Sequence, residues 1–128
     1  MRFLLDTHLM LWIPAGDERV SPKMRRLLGD EDNEFAFSTA SLWEIAIKRS
    51  LGKADFLTDP RGIRRQLLNA GYGELPVLGD HAVAVDALPP IHKDPFDRLL
   101  IAQAVVEGIS LLTVDATIAR YPGPIRKV

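Results

Sequence analysis

Two apolar runs, RFLLD at residues 2–6 and SLLTVD at residues 110–115, decide the fold. Their hydrophobic residues follow one another without the polar alternation of a half-exposed strand. Continuous runs of this kind are typical of parallel strands that helices cover on both faces. We therefore expect an α/β protein with an open, mostly parallel sheet, in which both runs are strands that end on an acid.

Helices and further short strands are predicted between the two runs. Good helix N-caps, three of them followed by proline, predict helices that begin at Ser21-Pro22, at Ser38 or Thr39, at Asp59-Pro60 and at Asp94-Pro95. A first helix is expected over residues 8–13, because Pro14, Ala15 and Gly16 should stop it. Short strands are predicted at residues 34–37 and 74–77, and the C-terminal tail is a candidate edge strand.

Length and composition predict a single domain covering residues 1–128. The absence of cysteine excludes disulfides, thiolate zinc sites and iron–sulfur clusters. The N-terminus MRFLLDTHLM lacks the apolar core of a signal peptide because Asp6 interrupts it, and no apolar run is long enough to cross a membrane. We expect a cytoplasmic protein without a membrane partner.

The net charge does not point to a nucleic-acid partner. Sixteen Lys and Arg residues stand against seventeen Asp and Glu residues, which gives a formal net charge of −1. Proteins that hold nucleic acid by general attraction are usually basic. A nucleic-acid function must therefore rest on a defined site.

Two acids are expected at the carboxyl ends of neighbouring parallel strands, where open α/β sheets form their binding sites. Asp6 follows the first apolar run, and Asp115 follows the last one. Each could equally serve only as the cap of the helix or turn that comes next.

Two further acids lie on predicted helices. Glu44 falls at the edge of an apolar arc, where it could form an exposed i,i+4 pair with Lys48 or a capping box with Ser41. Asp97 projects among apolar residues of a helix that is hydrophobic nearly all round, so its carboxylate needs a cation, a donor or a raised pKa. Asp94 is interpreted as a helix cap that is also a candidate auxiliary acid.

If these carboxylates converge, their mutual repulsion must be neutralised. Unit charges about 4 Å apart repel by roughly 4 kcal/mol at an effective dielectric near 20. Protonation of some carboxyl groups is one solution, and a divalent cation is the other. An all-oxygen ligand set favours Mg²⁺ or Mn²⁺ over Zn²⁺, and such a site is typical of phosphoryl transfer.

The remaining motifs carry less information. His8 lies beside the predicted site, whereas His81 and His92 are interpreted as structural, and Trp12 and Trp43 as core or interface residues. Among the basic residues, we consider Lys48, Arg49 and Arg98 candidates for positioning a nucleic-acid strand.

Four segments together resemble one family: LLDTHLMLW, STASLWEIAIK, HKDPFDRLLIAQA and LLTVD, in this order. They resemble the PIN-domain endoribonucleases and, more narrowly, the VapC-type toxins of type II toxin–antitoxin modules. The resemblance implies a three-layer α/β/α sandwich, Mg²⁺- or Mn²⁺-dependent cleavage of RNA, a homodimer, and inhibition by a cognate antitoxin protein. It maps the catalytic acids onto Asp6, Glu44, Asp97 and Asp115, with Asp6, Asp97 and Asp115 as metal ligands and Asp94 close by.

The chain departs from the family pattern at His8, where many members carry asparagine. Three other interpretations stay open. A phosphoryl-receiver domain has a similar size and sheet class but would need paired acids at the first strand exit. A non-catalytic interaction domain would keep the acids without cutting, and single-stranded DNA is an alternative substrate.

Overall fold

The computed structural model describes all residues from 1 to 128. Its centre is one five-stranded sheet in the order β3-β2-β1-β4-β5. Every pair of neighbouring strands is parallel, which confirms the expected sheet class. The strands are β1 Arg2–Leu5, β2 Glu34–Ser38, β3 Gly73–Leu75, β4 Ser110–Thr113 and β5 Ile125–Lys127.

Six α-helices connect the strands. They are α1 Thr7–Ala15, α2 Pro22–Gly29, α3 Thr39–Ser50, α4 Pro60–Asn69, α5 Gly79–Ala84 and α6 Pro95–Glu107. Three single 3₁₀ turns lie at Ala54–Phe56, Val85–Ala87 and Ile118–Arg120. None of the helices has the length and apolar character that crossing a bilayer requires.

The three layers follow from the alternation of side chains along the strands. Phe3 and Leu5 of β1 point to one face, where they belong to a core built with α1, α2, α3 and α4. Leu4 points to the other face and packs with Leu100 and Ile101 of α6. Both faces of the sheet are therefore buried, and the α/β/α sandwich is confirmed.

The predicted capping residues begin the helices. The side chains of Ser21, Ser38, Asp59 and Asp94 each accept a hydrogen bond from a backbone N–H in the first turn of the following helix. Since α3 starts at Thr39, Ser41 lies inside the helix. The prediction of a capping box between Ser41 and Glu44 is therefore wrong.

Two boundaries differ from the sequence prediction. Helix α1 continues through Pro14 and ends at Gly16, whose φ of +64° is the left-handed conformation that favours glycine. A proline this close to the end of a helix removes one backbone hydrogen bond and does not stop the helix at once. Strand β3 ends at Leu75, just before Pro76, instead of continuing to residue 77.

The strand order creates a switch point beside β1. The chain first adds β2 and β3 on one side of β1, and it then returns to add β4 and β5 on the other side. Open α/β sheets bind their ligands outside the carboxyl ends of the strands at such a point. Asp6 leaves β1 there, and its backbone N–H donates to the Leu112 carbonyl of β4 over 2.9 Å.

Candidate active site

A small cleft of about 170 Å³ opens at the carboxyl edge of the sheet, beside the switch point. All four predicted catalytic acids and Asp94 line it, and they come from four separate parts of the chain. The full lining is Asp6, Thr7, His8, Glu44, Lys48, His92, Asp94, Asp97, Asp115 and Ile118. A larger concavity of about 610 Å³ lies at the opposite edge of the sheet, and none of the five acids lines it.

Asp6 is buried at the bottom of the cleft, with only 3% of its surface exposed. Its Oδ1 accepts a hydrogen bond from the Leu9 N–H, which makes it the N-cap of α1. Its Oδ2 accepts from the Thr113 hydroxyl over 2.7 Å and from the Val114 N–H over 3.0 Å. Burial raises the pKa of Asp6, although these three hydrogen bonds oppose the shift. Asp6 therefore caps α1, and its hydrogen bonds also hold its carboxylate in a fixed orientation.

Glu44 is also 3% exposed, because α3 turns it inward over α1. Its Oε1 accepts a hydrogen bond from the Thr7 hydroxyl over 2.7 Å, and that hydroxyl lies 2.9 Å from the Ser41 hydroxyl. Its Oε2 pairs with the Lys48 ammonium group. The expected i,i+4 pair with Lys48 thus exists, but it lies partly buried in the cleft instead of on an exposed surface. Both carboxylate oxygens have protein partners.

Lys48 places a positive charge among the acids. Its Nζ lies 4.0 Å from Asp94 Oδ2 and 4.7 Å from the centre of the Phe56 ring. Burial lowers the pKa of Lys48, but the hydrogen bond with Glu44 and the neighbouring carboxylates outweigh it and raise the pKa overall. Lys48 therefore stays charged and offsets part of the negative charge of the cleft.

Asp97 lies in the first turn of α6, where its Oδ2 is 2.8 Å from His92 Nε2. Burial raises the pKa of Asp97 to about 7, and the carboxylates of Asp94 and Glu44 add to this, while the His92 contact lowers it. The neighbouring Asp94 uses its Oδ1 to cap α6, and its Oδ2 faces Lys48. The sequence predicts that the buried Asp97 carboxylate needs a cation, a hydrogen-bond donor or a raised pKa, and the residue that contacts it is His92.

Asp115 follows β4 and shapes the last wall of the cleft. Its Oδ1 accepts hydrogen bonds from the Thr117 N–H over 2.7 Å and from the Ile118 N–H over 3.4 Å, just before the short turn at Ile118–Arg120. Its own N–H donates to the Thr113 hydroxyl oxygen over 3.0 Å. Since the hydroxyl of Thr113 donates to Asp6, one threonine links the acids of both strands.

Two interpretations from the sequence are wrong. Arg98 cannot position a nucleic acid, because its guanidinium donates to the carbonyls of Val85, Leu88 and Pro89 and to the Tyr121 hydroxyl. It holds the segment before α6 together. His92, interpreted from the sequence as structural, lies in the cleft against Asp97.

The other histidines and the tryptophans are placed as follows. His8 lines the cleft between the rings of Trp12 and Phe56, whose centres lie 5.5 and 5.6 Å away. His81 is fully buried between the Leu78 N–H and Glu107, as a structural residue should be. Trp43 is not part of the core, because it is 61% exposed and packs edge-on against Phe96.

The donors of the cleft fit a divalent cation. One ligand atom each from His92, Asp94 and Asp97 lies within 4.8 Å of the others. Asp6 and Asp115 line the same cleft without belonging to that close group. Carboxylate oxygens are the ligands that Mg²⁺ and Mn²⁺ prefer, and Mn²⁺ also accepts imidazole. The raised pKa of Asp97, caused first by burial and then by acidic neighbours, shows that its negative charge has too little compensation here.

Sequence reasoning missed Thr7, Thr113 and the role of His92. The three share a position next to a predicted acid along the chain or across the sheet. Thr7 follows Asp6, Thr113 precedes Asp115 by two residues, and His92 precedes Asp97 by five. The signal for each was therefore a hydrogen-bonding side chain close to a candidate acid.

Comparison with known proteins agrees with this architecture. The family model described as PIN domain matches residues 3–124. No protein among the curated ones matches the chain by sequence.

Several solved structures are similar to the chain over nearly its whole length. VapBC2 from Rickettsia felis, bound to a DNA fragment from its promoter, matches with a TM-score of 0.71 and 15% identity, covering 100% of this chain and 99% of that one. VapBC-1 from nontypeable Haemophilus influenzae matches with a TM-score of 0.63 and 17% identity, covering 99% and 98%. The toxin–antitoxin system VapBC-5 from Mycobacterium tuberculosis matches with a TM-score of 0.58 and 20% identity, covering 99% and 97%. At these identities the likeness establishes a shared fold.

Proposed function

Because the chain belongs to the PIN domain family, we propose that it is a metal-dependent endoribonuclease and the toxin of a type II toxin–antitoxin pair. The observation that carries this proposal is the convergence of Asp6, Glu44, Asp97 and Asp115 on one cleft. Four carboxylates from separate elements cost folding free energy unless a cation offsets them. A site that binds a cation and then a phosphodiester explains why the chain carries that cost.

We assign Asp6, Asp97 and Asp115 as the acids that hold the cation, with Asp94 as an auxiliary acid. Each of them is held by backbone N–H groups or by a neighbouring side chain, so the carboxylates are oriented before a ligand arrives. Mg²⁺ or Mn²⁺ bound there would draw the phosphate oxygens of the substrate and offset the charge that develops on the leaving oxygen. The cation also explains how a chain of net charge −1 can hold an anionic substrate.

Glu44 has a different part in the reaction. Thr7 and Lys48 contact its two carboxylate oxygens, so the side chain is held in a fixed position at the wall of the cleft. From that position we assign it the task of orienting the attacking water by accepting a hydrogen bond. The charge of Lys48 lies close enough to the acids to attract a phosphate oxygen that enters between them.

The partner assignment rests on the structural comparison. The similar structures are VapBC assemblies, and that of Mycobacterium tuberculosis is described as a member of a family of toxin–antitoxin systems. We propose a cognate antitoxin protein for this chain on these grounds. We propose a homodimer from the resemblance of its sequence to the VapC-type toxins.

The test is cleavage of a labelled single-stranded RNA by the purified protein in Mg²⁺, in Mn²⁺ and in EDTA. We expect cleavage with either ion, none in EDTA, and a loss of at least about 100-fold in Asp97→Asn, as removal of a single charge-stabilising group costs in other enzymes. Asp80→Asn is the matched control, since Asp80 is an exposed acid outside the cleft.

The same assay separates the alternatives. Intact RNA in both ions, with the antitoxin still bound, would mean a non-catalytic interaction domain. Cleavage of single-stranded DNA in preference to RNA would change the substrate and leave the site assignment in place.

A further inference from the structure

The strongest concentration of positive charge lies beside the acidic cleft and not in it. Six Lys and Arg residues but only two acids lie between residues 48 and 65, although the whole chain has a net charge of −1. We define the arginine track as Arg49 of α3 together with Arg61, Arg64 and Arg65 of α4. All four arginines are exposed.

The track exists because α4 buries only one stripe of its surface. Ile63 and Leu67, one turn apart, face the core below. Arg61 and Arg65, also one turn apart, face outward and have no carboxylate within 4.0 Å. Like charges at this spacing repel each other and weaken the helix. Neither guanidinium group is engaged in an ion pair, so both are available to an anionic ligand.

Two concavities make the arginine track accessible. One of about 630 Å³ lies between α3 and α4 and is lined by Arg49, Ser50 and Arg61, with Ala46 and Pro60. The other, of about 280 Å³, is lined by Arg61, Arg64, Arg65, Leu68 and Asn69. Arg61 belongs to both, so the two concavities adjoin at this residue of α4.

Helix α3 connects the acidic cleft with the first concavity. Lys48 lines the acidic cleft, and the next residue, Arg49, lines the first concavity. The cleft and the first concavity are therefore lined by consecutive residues of α3, and the arginine track continues from Arg49 to Arg61 and Arg65. Partners restrain two of the arginines, since Arg49 lies 3.8 Å from Asp59 and Arg64 forms a bidentate pair with Glu74. Arg61 and Arg65 are the free guanidinium groups of the track.

We propose that the arginine track binds the phosphate backbone of a single-stranded RNA on one side of the bond that the cleft cuts. The inference rests on the proposed function for the choice of substrate. Arginine suits this task because its planar guanidinium group donates two parallel hydrogen bonds to a phosphate. Backbone contacts position a strand without reading its sequence. The track thus makes the protein favour long strands over short oligonucleotides.

The test is binding of a fluorescently labelled single-stranded RNA, longer than the cleft, to the full chain in EDTA at several salt concentrations. The test variant is Arg61→Gln with Arg65→Gln. The matched control is Arg25→Gln with Arg26→Gln, which removes the same charge from exposed positions on α2. Neither Arg25 nor Arg26 lines the acidic cleft or the two concavities of the arginine track, and α2 begins near β5, where Lys23 Nζ donates to the Lys127 carbonyl.

We expect the test variant to bind the RNA about tenfold more weakly. The slope of the logarithm of the association constant against the logarithm of the salt concentration should become shallower by about 1.4, which is about 0.7 for each phosphate that the protein no longer neutralises. The control should stay within about twofold of the wild type, because its arginines lie away from the path of the strand. Equal weakening in both variants, or no change in the test variant, overturns the proposal. No change in the test variant would favour an acidic protein segment, and not RNA, as the ligand of the arginine track.

This measurement is independent of cleavage, so the two proposals can fail separately. A protein that binds RNA through Arg61 and Arg65 but cuts nothing in Mg²⁺ or Mn²⁺ contradicts the nuclease proposal alone. A protein that cuts RNA while the test variant binds like the wild type contradicts the arginine track alone.

Discussion

The Thr113 hydroxyl donates a 2.7 Å hydrogen bond to Oδ2 of Asp6, across 107 residues of sequence. The contact joins the ends of β1 and β4, the two strands at the switch point of the sheet. The same hydroxyl oxygen accepts from the N–H of Asp115. A single uncharged side chain therefore fixes the relative positions of two of the predicted acids.

Thr113→Val should lower metal-dependent cleavage without unfolding the protein. Valine has nearly the shape of threonine, so the buried end of β4 stays filled while Asp6 loses the hydroxyl donor and keeps the Leu9 and Val114 N–H donors. Changes of this kind around metal sites cost about 10- to 100-fold in metal affinity or activity. The measurement is the Mn²⁺ concentration that gives half-maximal cleavage. Thr117→Val, at a half-buried position in the loop that follows, should leave that concentration unchanged.

Lys48→Gln should reduce kcat, because it removes the cation beside Oε2 of Glu44 and makes the cleft more negative. Lys48→Arg should recover a substantial part of the rate, since it restores the charge. A steady-state analysis of both variants measures the effect. If the two variants were equally impaired with unchanged thermal stability, the charge of Lys48 would not be what the reaction uses.

The stability of the metal-free protein should depend on pH through Asp97. Its pKa is about 7 in the folded chain against a usual 3.8, so between these values the folded state holds a proton that the unfolded state has released. The contribution of this carboxyl group to the free energy of unfolding is therefore present at low pH and is lost as the pH rises through 7. His92, Asp94 and Glu44 face the same carboxyl group and, together with its burial, set this value.

Thermal unfolding in EDTA between pH 5 and pH 8 measures this dependence. We expect Asp97→Asn to lose less stability over that range than the wild type, by at least roughly 4 °C in Tm, since about 1 kcal/mol shifts Tm by that amount in a domain of this size. Identical pH profiles for the two proteins would mean that Asp97 ionises normally.

Arg98→Met should destabilise the fold and spare RNA binding. Its guanidinium group holds several carbonyls of the segment before α6, and hydrogen bonds to charged groups contribute about 1.5–3 kcal/mol. We expect the free energy of unfolding in urea to fall by about 2–4 kcal/mol. A stable variant with weakened RNA binding would restore the nucleic-acid interpretation that the structure contradicts.

Most of the fold could be predicted because its signals are local. The apolar runs at residues 2–6 and 110–115 became β1 and β4, and Ser21, Asp59 and Asp94 cap helices as expected. Capping and strand burial depend on a few neighbouring residues, so one sequence suffices to find them. The end of α1 was misplaced because Pro14 and Gly16 are both stop signals, and only the backbone shows which one acts.

The site was harder to predict because its details depend on how elements approach each other. The acids were visible at strand ends and on a buried helix, but the burial of Glu44 comes from the packing of α3 and α1, which the pattern of α3 alone does not reveal. The pairing of His92 with Asp97 depends on the path of a loop. Arg98 was misinterpreted because a basic residue next to an acidic site looks the same in sequence whether it faces solvent or carbonyl groups.

Calorimetric titration of the metal-free protein with Mn²⁺ tests the central claim most directly, because it needs neither RNA nor antitoxin. We predict saturable binding to the wild type, and binding weakened at least about tenfold in Asp6→Asn and in Asp97→Asn, as removal of a ligand or its support costs in other sites. Asp80→Asn should bind like the wild type. If the wild type took up no Mn²⁺, or if both cleft variants bound it unchanged, these acids would not be a metal site.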